Sequence, residues 1–121
     1  MAEDRRAKRL REVFNVTPEE RDALVHGLCP ICGVRPAAYL DHEHRTGLVR
    51  GGLCFICNRL LGLIDHYPAE LAVSILRNAL EYLLHPPATA ILGAPRFGLI
   101  GEVGTKKQNA LIRKLRKTGA L

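Results

Sequence analysis

Residues 29–62 read CPICGVRPAAYLDHEHRTGLVRGGLCFICNRLLG, and the fold turns on how this stretch closes on itself. It holds all four cysteines, in two pairs of identical form, Cys29-Pro-Ile-Cys32 and Cys54-Phe-Ile-Cys57, with twenty-one residues between them. Two residues between cysteines let a tight turn aim both sulfurs at one ion, and tetrahedral Zn²⁺ takes four thiolates at about 2.3 Å. A structural zinc on Cys29, Cys32, Cys54 and Cys57 is the expectation. Two disulfides are disfavoured where thiols stay reduced, and a redox CxxC would leave the second pair unexplained. The spacer slightly exceeds the commonest zinc-ribbon range, which implies that it carries a hairpin of its own.

Inside the spacer, residues 37–42 suit a short strand, since Pro36 discourages helix at Arg35. Arg45-Thr46-Gly47 is turn material, Leu48-Val49-Arg50 reads as the return strand, and Gly51-Gly52 is expected to break it. Residues 53–61 then read as a helix closed by Gly62. Cys54 and Asn58 are four apart and so share one helical face. The densest polar run, Asp41-His42-Glu43-His44, ends the first strand, and alternation sends Asp41 and Glu43 to one side and His42 and His44 to the other. A carboxylate able to hold Mg²⁺ beside an imidazole able to take a proton from water is the minimal kit for hydrolysing a phosphodiester. Such a run can also be a solvated loop; its place between the two halves of a metal site favours the chemistry.

The rest of the chain supports this reading. One hundred and twenty-one residues, 47% hydrophobic and 25% charged, suit one folded domain with a modest core, and six aromatic residues in all make a metal staple useful. The net charge of +6 favours a polyanionic partner, and falls to about +4 once four thiolates take one Zn²⁺. Eleven of the eighteen lysines and arginines lie in two terminal segments, Arg5 to Arg11 and Lys106 to Lys117. No secretory signal is visible, and the longest uncharged run, residues 82–95, contains three prolines and cannot span a bilayer. A cytoplasmic protein with no membrane partner is expected.

Thr17-Pro18-Glu19-Glu20 is a capping box that opens a short helix ending near Gly27. Residues 68–84 form the longest helical pattern, with a broad face of Leu71, Ile75, Leu76, Leu80, Leu83 and Leu84, stopped by His85-Pro86-Pro87. That face either packs on the protein's own finger or forms a homodimer seam. The organisation expected is a basic segment over 1–16, the finger over 17–66, the long helix over 67–85, a Pro/Gly-rich arm over 86–104, and a basic helix over 105–121 capped by Thr105. His26, His66 and His85 read as surface or helix-end residues.

The ordered set CxxC, DHxH, Gly-Leu-Val-Arg-Gly, CxxCN and LG resembles the recombination endonuclease VII family of phages, a branch of the His-Me finger nucleases related to HNH enzymes. The resemblance implies an α+β domain, a zinc-stapled ββα-metal finger flanked by α-helices with a basic C-terminal helix. It implies that Asp41 and Asn58 ligate one Mg²⁺ or Mn²⁺, that His42 is the general base, that His44 orients phosphate or water, and that the four cysteines hold structural zinc. Family members can carry an acid one turn beyond the asparagine, where this chain has Leu61, so Glu43 or a group from a partner chain is expected to compensate.

The function expected is a metal-dependent DNA endonuclease acting on branched DNA such as Holliday junctions. The alternatives are a nuclease nicking or cutting ordinary duplex, as in DNA packaging or host-DNA breakdown, and a non-catalytic zinc module that binds DNA. Arg50, Arg59, Lys106, Lys107, Arg113, Lys114, Arg116 and Lys117 are the expected phosphate contacts.

Overall fold

A computed structural model describes residues 3–98 and 106–119 of the chain. The described residues form six helices and one two-stranded sheet, in the order α1 (Arg5–Phe14), α2 (Pro18–Leu24), β1 (Tyr39–His42), β2 (Val49–Leu53), α3 (Phe55–Ile64), α4 (Ala69–Leu84), α5 (Pro87–Leu92) and α6 (Lys106–Lys117). The mixed α+β class expected from the sequence is the class observed.

Most of the basic segment expected over 1–16 is the helix α1. Asp4 caps α1 by accepting from the Ala7 N–H, and Asn15 closes it in the left-handed conformation at φ 55°. The capping box of α2 is present in full: Thr17 accepts from Glu20 N–H, and Glu20 accepts from Thr17 N–H. Arg6 and Asp22 tie the two helices at 3.3 Å.

Between α2 and β1 the chain makes the first cysteine knuckle. Cys29 N–H donates to Arg35 O at 2.7 Å and Gly33 N–H donates to Cys29 O at 2.8 Å, the glycine sitting at φ 71°, which few residues with a side chain adopt. Ala37 and Ala38 then lead into β1, which pairs antiparallel with β2 through Tyr39–Leu53, Leu40–Gly52 and Asp41–Gly51. The next pair is His42–Val49, so the register slips and Arg50 is the extra residue of a β-bulge.

Two expectations about glycine are corrected. Gly51-Gly52 does not break the return strand, which runs on to Leu53. A Cβ on Gly52 would lie 2.6 Å from Leu24 O and 2.8 Å from Val25 Cα, so glycine there lets β2 press against the end of α2. Gly62 does not close the finger helix either. Cys54 is its N-cap, its Sγ accepting from Cys57 N–H at 3.4 Å, and α3 continues through Gly62 to Ile64 with Asp65 as C-cap.

The buried core is small. Among the described residues it consists of Cys29, Leu53, Cys54 and Cys57, with Cys32 and Leu61 packed against it. A cluster of four cysteines therefore occupies the place that leucines hold in a larger domain. After α4, the stop at His85-Pro86-Pro87 occurs, but the chain turns directly into α5 with Pro87 at its first position, so the start of the Pro/Gly-rich arm is helical. Thr105, expected to cap the last helix, lies outside the described residues. No described helix is long and apolar enough to cross a membrane.

Candidate nuclease site and metal centre

The four cysteine sulfurs lie within 4.8 Å of one another, and the residues are all reduced. Cys32 Sγ and Cys54 Sγ, one from each pair, are 3.8 Å apart. Four sulfurs about 2.3 Å from one ion stand about 3.8 Å from each other at the corners of a tetrahedron, so the spacing is that of a Zn²⁺ site and far too long for a disulfide. The knuckle prepares its thiolates. Burial opposes ionisation of Cys32, but the N–H groups of Val34 and Arg35 outweigh it and bring the thiol down to about 6. Cys29 is lowered too, its burial outweighed by the backbone around Cys54 and Cys32. Cys57 is raised by burial and by the neighbouring sulfurs, which leaves it reluctant to ionise without a cation.

Around this staple the hairpin presents two clusters that meet at Asp65. In the first, Asp41 is buried, at 4% exposure, and its carboxylate is held by a fork from Arg50. Arg50 Nε donates to Oδ2 at 2.7 Å and Nη2 donates to Oδ1 at 2.9 Å. The other edge of the same guanidinium grips Asp65, with Nη1 donating to Oδ1 at 2.9 Å and Nη2 to Oδ2 at 3.0 Å, while Nη2 also reaches His42 O at 3.2 Å. The side chains are 5% exposed for Asp41, 6% for Asp65 and 27% for Arg50. Hydrogen bonding to Arg50 draws Asp65 below the ordinary carboxylate range against its burial, and the two carboxylates raise Arg50 in turn.

In the second, the His42 ring sits 5.0 Å from the His44 ring and meets Phe14 of α1 edge-on at 5.3 Å. His44 in turn lies against α3. Its Nδ1 is 3.9 Å from Asp65 Oδ2, and its Cε1 is 3.9 Å from where a Cβ on Gly62 would be. Gly62 is one turn beyond Asn58, so His44 borders the helical face that carries Cys54, Asn58 and Asp65.

Glu43, with Arg50 and Asp65, lines the polar end of a cavity of about 280 Å³ whose apolar wall is Leu61, Ile64, Ala72, Val73 and Leu76. Its Oε1 is buried without a hydrogen-bond partner. Arg45 Nε stands 3.8 Å from that oxygen, an ion pair without a hydrogen bond. Each Asp41 oxygen accepts one hydrogen bond from Arg50 and keeps a lone pair. The carboxylate oxygens of Asp41, each with a lone pair left, are hard donors that fit a hard divalent cation such as Mg²⁺ or Mn²⁺ better than a soft one.

The expected phosphate contacts fall in different places. Arg50 faces inward to two carboxylates, with one N–H of Nη1 left over. Arg59 stands over the Phe55 ring at 5.5 Å on the outer side of α3. Lys107, Ala110, Leu111 and Lys114 of α6 line a groove with Val34 and Arg35 of the first knuckle. The basic residues of α6 are exposed.

Two residues at these clusters are not visible in the sequence pattern. Asp65 is seven beyond Asn58, a spacing that returns to the same helical face, but a helix ending at Gly62 leaves it outside. Phe14 is masked because residues 1–16 read as a charge run.

A cysteine cluster of zinc dimensions, a strand ending in Asp-His, and a helix leaving the second cysteine pair define a ββα finger with a site able to hold zinc. The recombination endonuclease VII family matches residues 7–85, well over half of the chain, and the protein belongs to it. The chain is also similar to the Gene 59 protein of Mycobacterium phage D29, 37% identical over 93 residues covering 70% of this chain and 53% of that one. The Gene 59 protein of Mycobacterium phage L5 is 40% identical over 72 residues, 55% of this chain and 41% of the relative. The chain thus spans about half the length of these curated relatives. No solved structure matches it significantly.

Proposed function

We propose that the protein is a metal-dependent DNA endonuclease that hydrolyses phosphodiester bonds in branched DNA, with four-way junctions as the preferred substrate. The observation that carries the reading is the juxtaposition, in a chain of this family, of a buried Asp41 and a His42–His44 pair at the end of one strand, with His44 against α3, the helix that bears Asn58.

In this reading the Asp41 carboxylate and the Asn58 amide oxygen hold one Mg²⁺ or Mn²⁺. When bound, the cation supplies positive charge to the scissile phosphate and to the departing 3′ oxygen. His42 takes the proton from the attacking water as general base; its edge contact with Phe14 limits the ring's rotation and its contact with His44 keeps it beside a second donor. His44 orients the phosphate or the water. The products are a 5′ phosphate and a 3′ hydroxyl. Cys29, Cys32, Cys54 and Cys57 hold zinc and take no part in the reaction. Arg59, Lys106, Lys107, Arg113, Lys114, Arg116 and Lys117 lie along DNA phosphates, and Arg50 adds its spare N–H. Two copies joined through exposed leucines of α4, among them Leu80, Leu83 and Leu84, would address two strands. The work is done in the cytoplasm of the host cell.

The test offers the zinc-loaded protein a synthetic four-way junction, a supercoiled plasmid and linear duplex, each with Mg²⁺, with Mn²⁺ and with EDTA, alongside His42→Ala. Junction cleavage that needs the cation and His42 is the expected result. Cleavage of plasmid and duplex with no preference for the junction assigns the protein to ordinary duplex DNA. No cleavage of any substrate with either cation leaves a zinc module that binds DNA.

A further inference from the structure

We infer that Asp65 is a positioning residue for the catalytic cation, acting through Arg50 to fix the Asp41 carboxylate and to offset the guanidinium charge beside it. The inference rests on the assignment of Asp41 as a cation ligand and deepens it.

Charge accounting poses the problem that Asp65 solves. Asp41 alone with Arg50 is a neutral pair, hydrogen-bonded at 2.7 and 2.9 Å, and a neutral pair attracts a divalent cation weakly. The guanidinium would repel the incoming ion outright. Glu43 is offset by Arg45 at 3.8 Å, so Asp65 is what changes the sum from zero to −1, and it does so at 6% side-chain exposure, where solvent screens the charge little.

Geometry gives it a second task. The β-bulge leaves Arg50 unpaired in the sheet, so nothing in the ladder fixes the direction of its side chain. Asp65 grips the far edge of the guanidinium with two bonds of 2.9 and 3.0 Å, and a planar fork held at one edge has its other edge fixed as well. The Asp41 oxygens therefore meet Arg50 on one lone pair each, in a fixed orientation that leaves the other free. The C-cap position supplies the anchor, because Asp65 moves with α3, the helix that also carries Asn58. This chain has Leu61 packed on the cysteine core, so the negative charge comes from one turn further along the same helix.

The experiment uses the zinc-loaded full chain and measures Mn²⁺ affinity from the electron paramagnetic resonance signal of free Mn²⁺, with zinc content measured on the same samples. Asp65→Asn keeps an oxygen for Arg50 and removes the charge. It should weaken Mn²⁺ binding about tenfold, leave zinc at its wild-type level, and lower kcat at fixed Mn²⁺ in a way that more Mn²⁺ restores, with KM for DNA unmoved. Asp65→Glu, which keeps the charge, should recover most of the affinity. Unchanged Mn²⁺ affinity in Asp65→Asn overturns the inference. So does loss of binding as complete as in Asp41→Asn, which would make Asp65 a ligand, and so does loss of zinc, which would make its role structural. If Asp41→Asn itself leaves Mn²⁺ affinity intact, the assignment of Asp41 fails and takes this inference with it.

Discussion

Removing zinc from the finger should unfold it. The magnitude follows from what else is buried. Of the four buried apolar residues described, three are cysteines, and the fourth, Leu53, contributes roughly 1.5–3 kcal/mol if fully buried. A structural zinc on four cysteines contributes about 10–16 kcal/mol at neutral pH, several times more. The Arg50 ion pairs do not make up the difference, since buried pairs give back most of their attraction in desolvation. Chelation should therefore abolish the cooperative thermal transition rather than shift it by a few degrees, and Cys54→Ser should do the same by removing a sulfur and the cap of α3 together. The assay follows far-ultraviolet circular dichroism through a thermal scan on protein of measured zinc content, before and after chelator, with zinc added back. A zinc-free sample that still melts cooperatively near the loaded protein's midpoint would refute the claim that the metal substitutes for a core.

Three further outcomes are expected. Gly52→Ala places a methyl 2.6 Å from Leu24 O, a backbone atom that cannot swing away, and should destabilise the zinc-loaded protein by about 1–3 kcal/mol in urea; an unchanged midpoint would mean that β2 and α2 are not in contact. Asp65 is held below its ordinary value of 3.8 by Arg50, so its stabilisation is complete above that value and is lost only as pH falls through the lower folded one. The stability difference between wild type and Asp65→Asn should thus be flat across neutral pH, and a difference that fades in the histidine range would assign the interaction to His44, 3.9 Å away. Deleting the residues after Gly104 should weaken DNA affinity and flatten its salt dependence, by about 0.9 in log–log slope for each phosphate that the shortened chain no longer neutralises; an unchanged slope would leave the α6 cations merely solvated.

The parts of the fold legible in the sequence are those whose reason is local. Two CxxC pairs specify a turn and a ligand set within four residues each, and Thr17-Pro18-Glu19-Glu20 specifies a helix start the same way. Both are present because no distant contact is needed to satisfy them. The elements that depart from their sequence pattern share a different cause. At Gly51-Gly52 and at Gly62 glycine signals a stop on grounds of backbone entropy, yet Gly52 is where two elements approach within a Cβ's width and Gly62 is where a helix passes the His44 ring. Tertiary approach decides both ends.

The same cause explains why the Arg50 cluster is not legible. Arg50 reads as a strand-end cation, and a regular β2 would give its direction by alternation alone. The bulge breaks that rule by one residue and turns the guanidinium inward between two carboxylates that are twenty-four positions apart in sequence. A helix ended at Gly62 excludes Asp65, whose spacing from Asn58 shows only when α3 runs its full length. A single glycine thus hides an acid one turn beyond Leu61 on the same helix. The general consequence for a metal-stapled finger is that the staple can be read from its cysteines, whereas the polar cluster it supports has to be sought at the far end of the helix that the second pair begins.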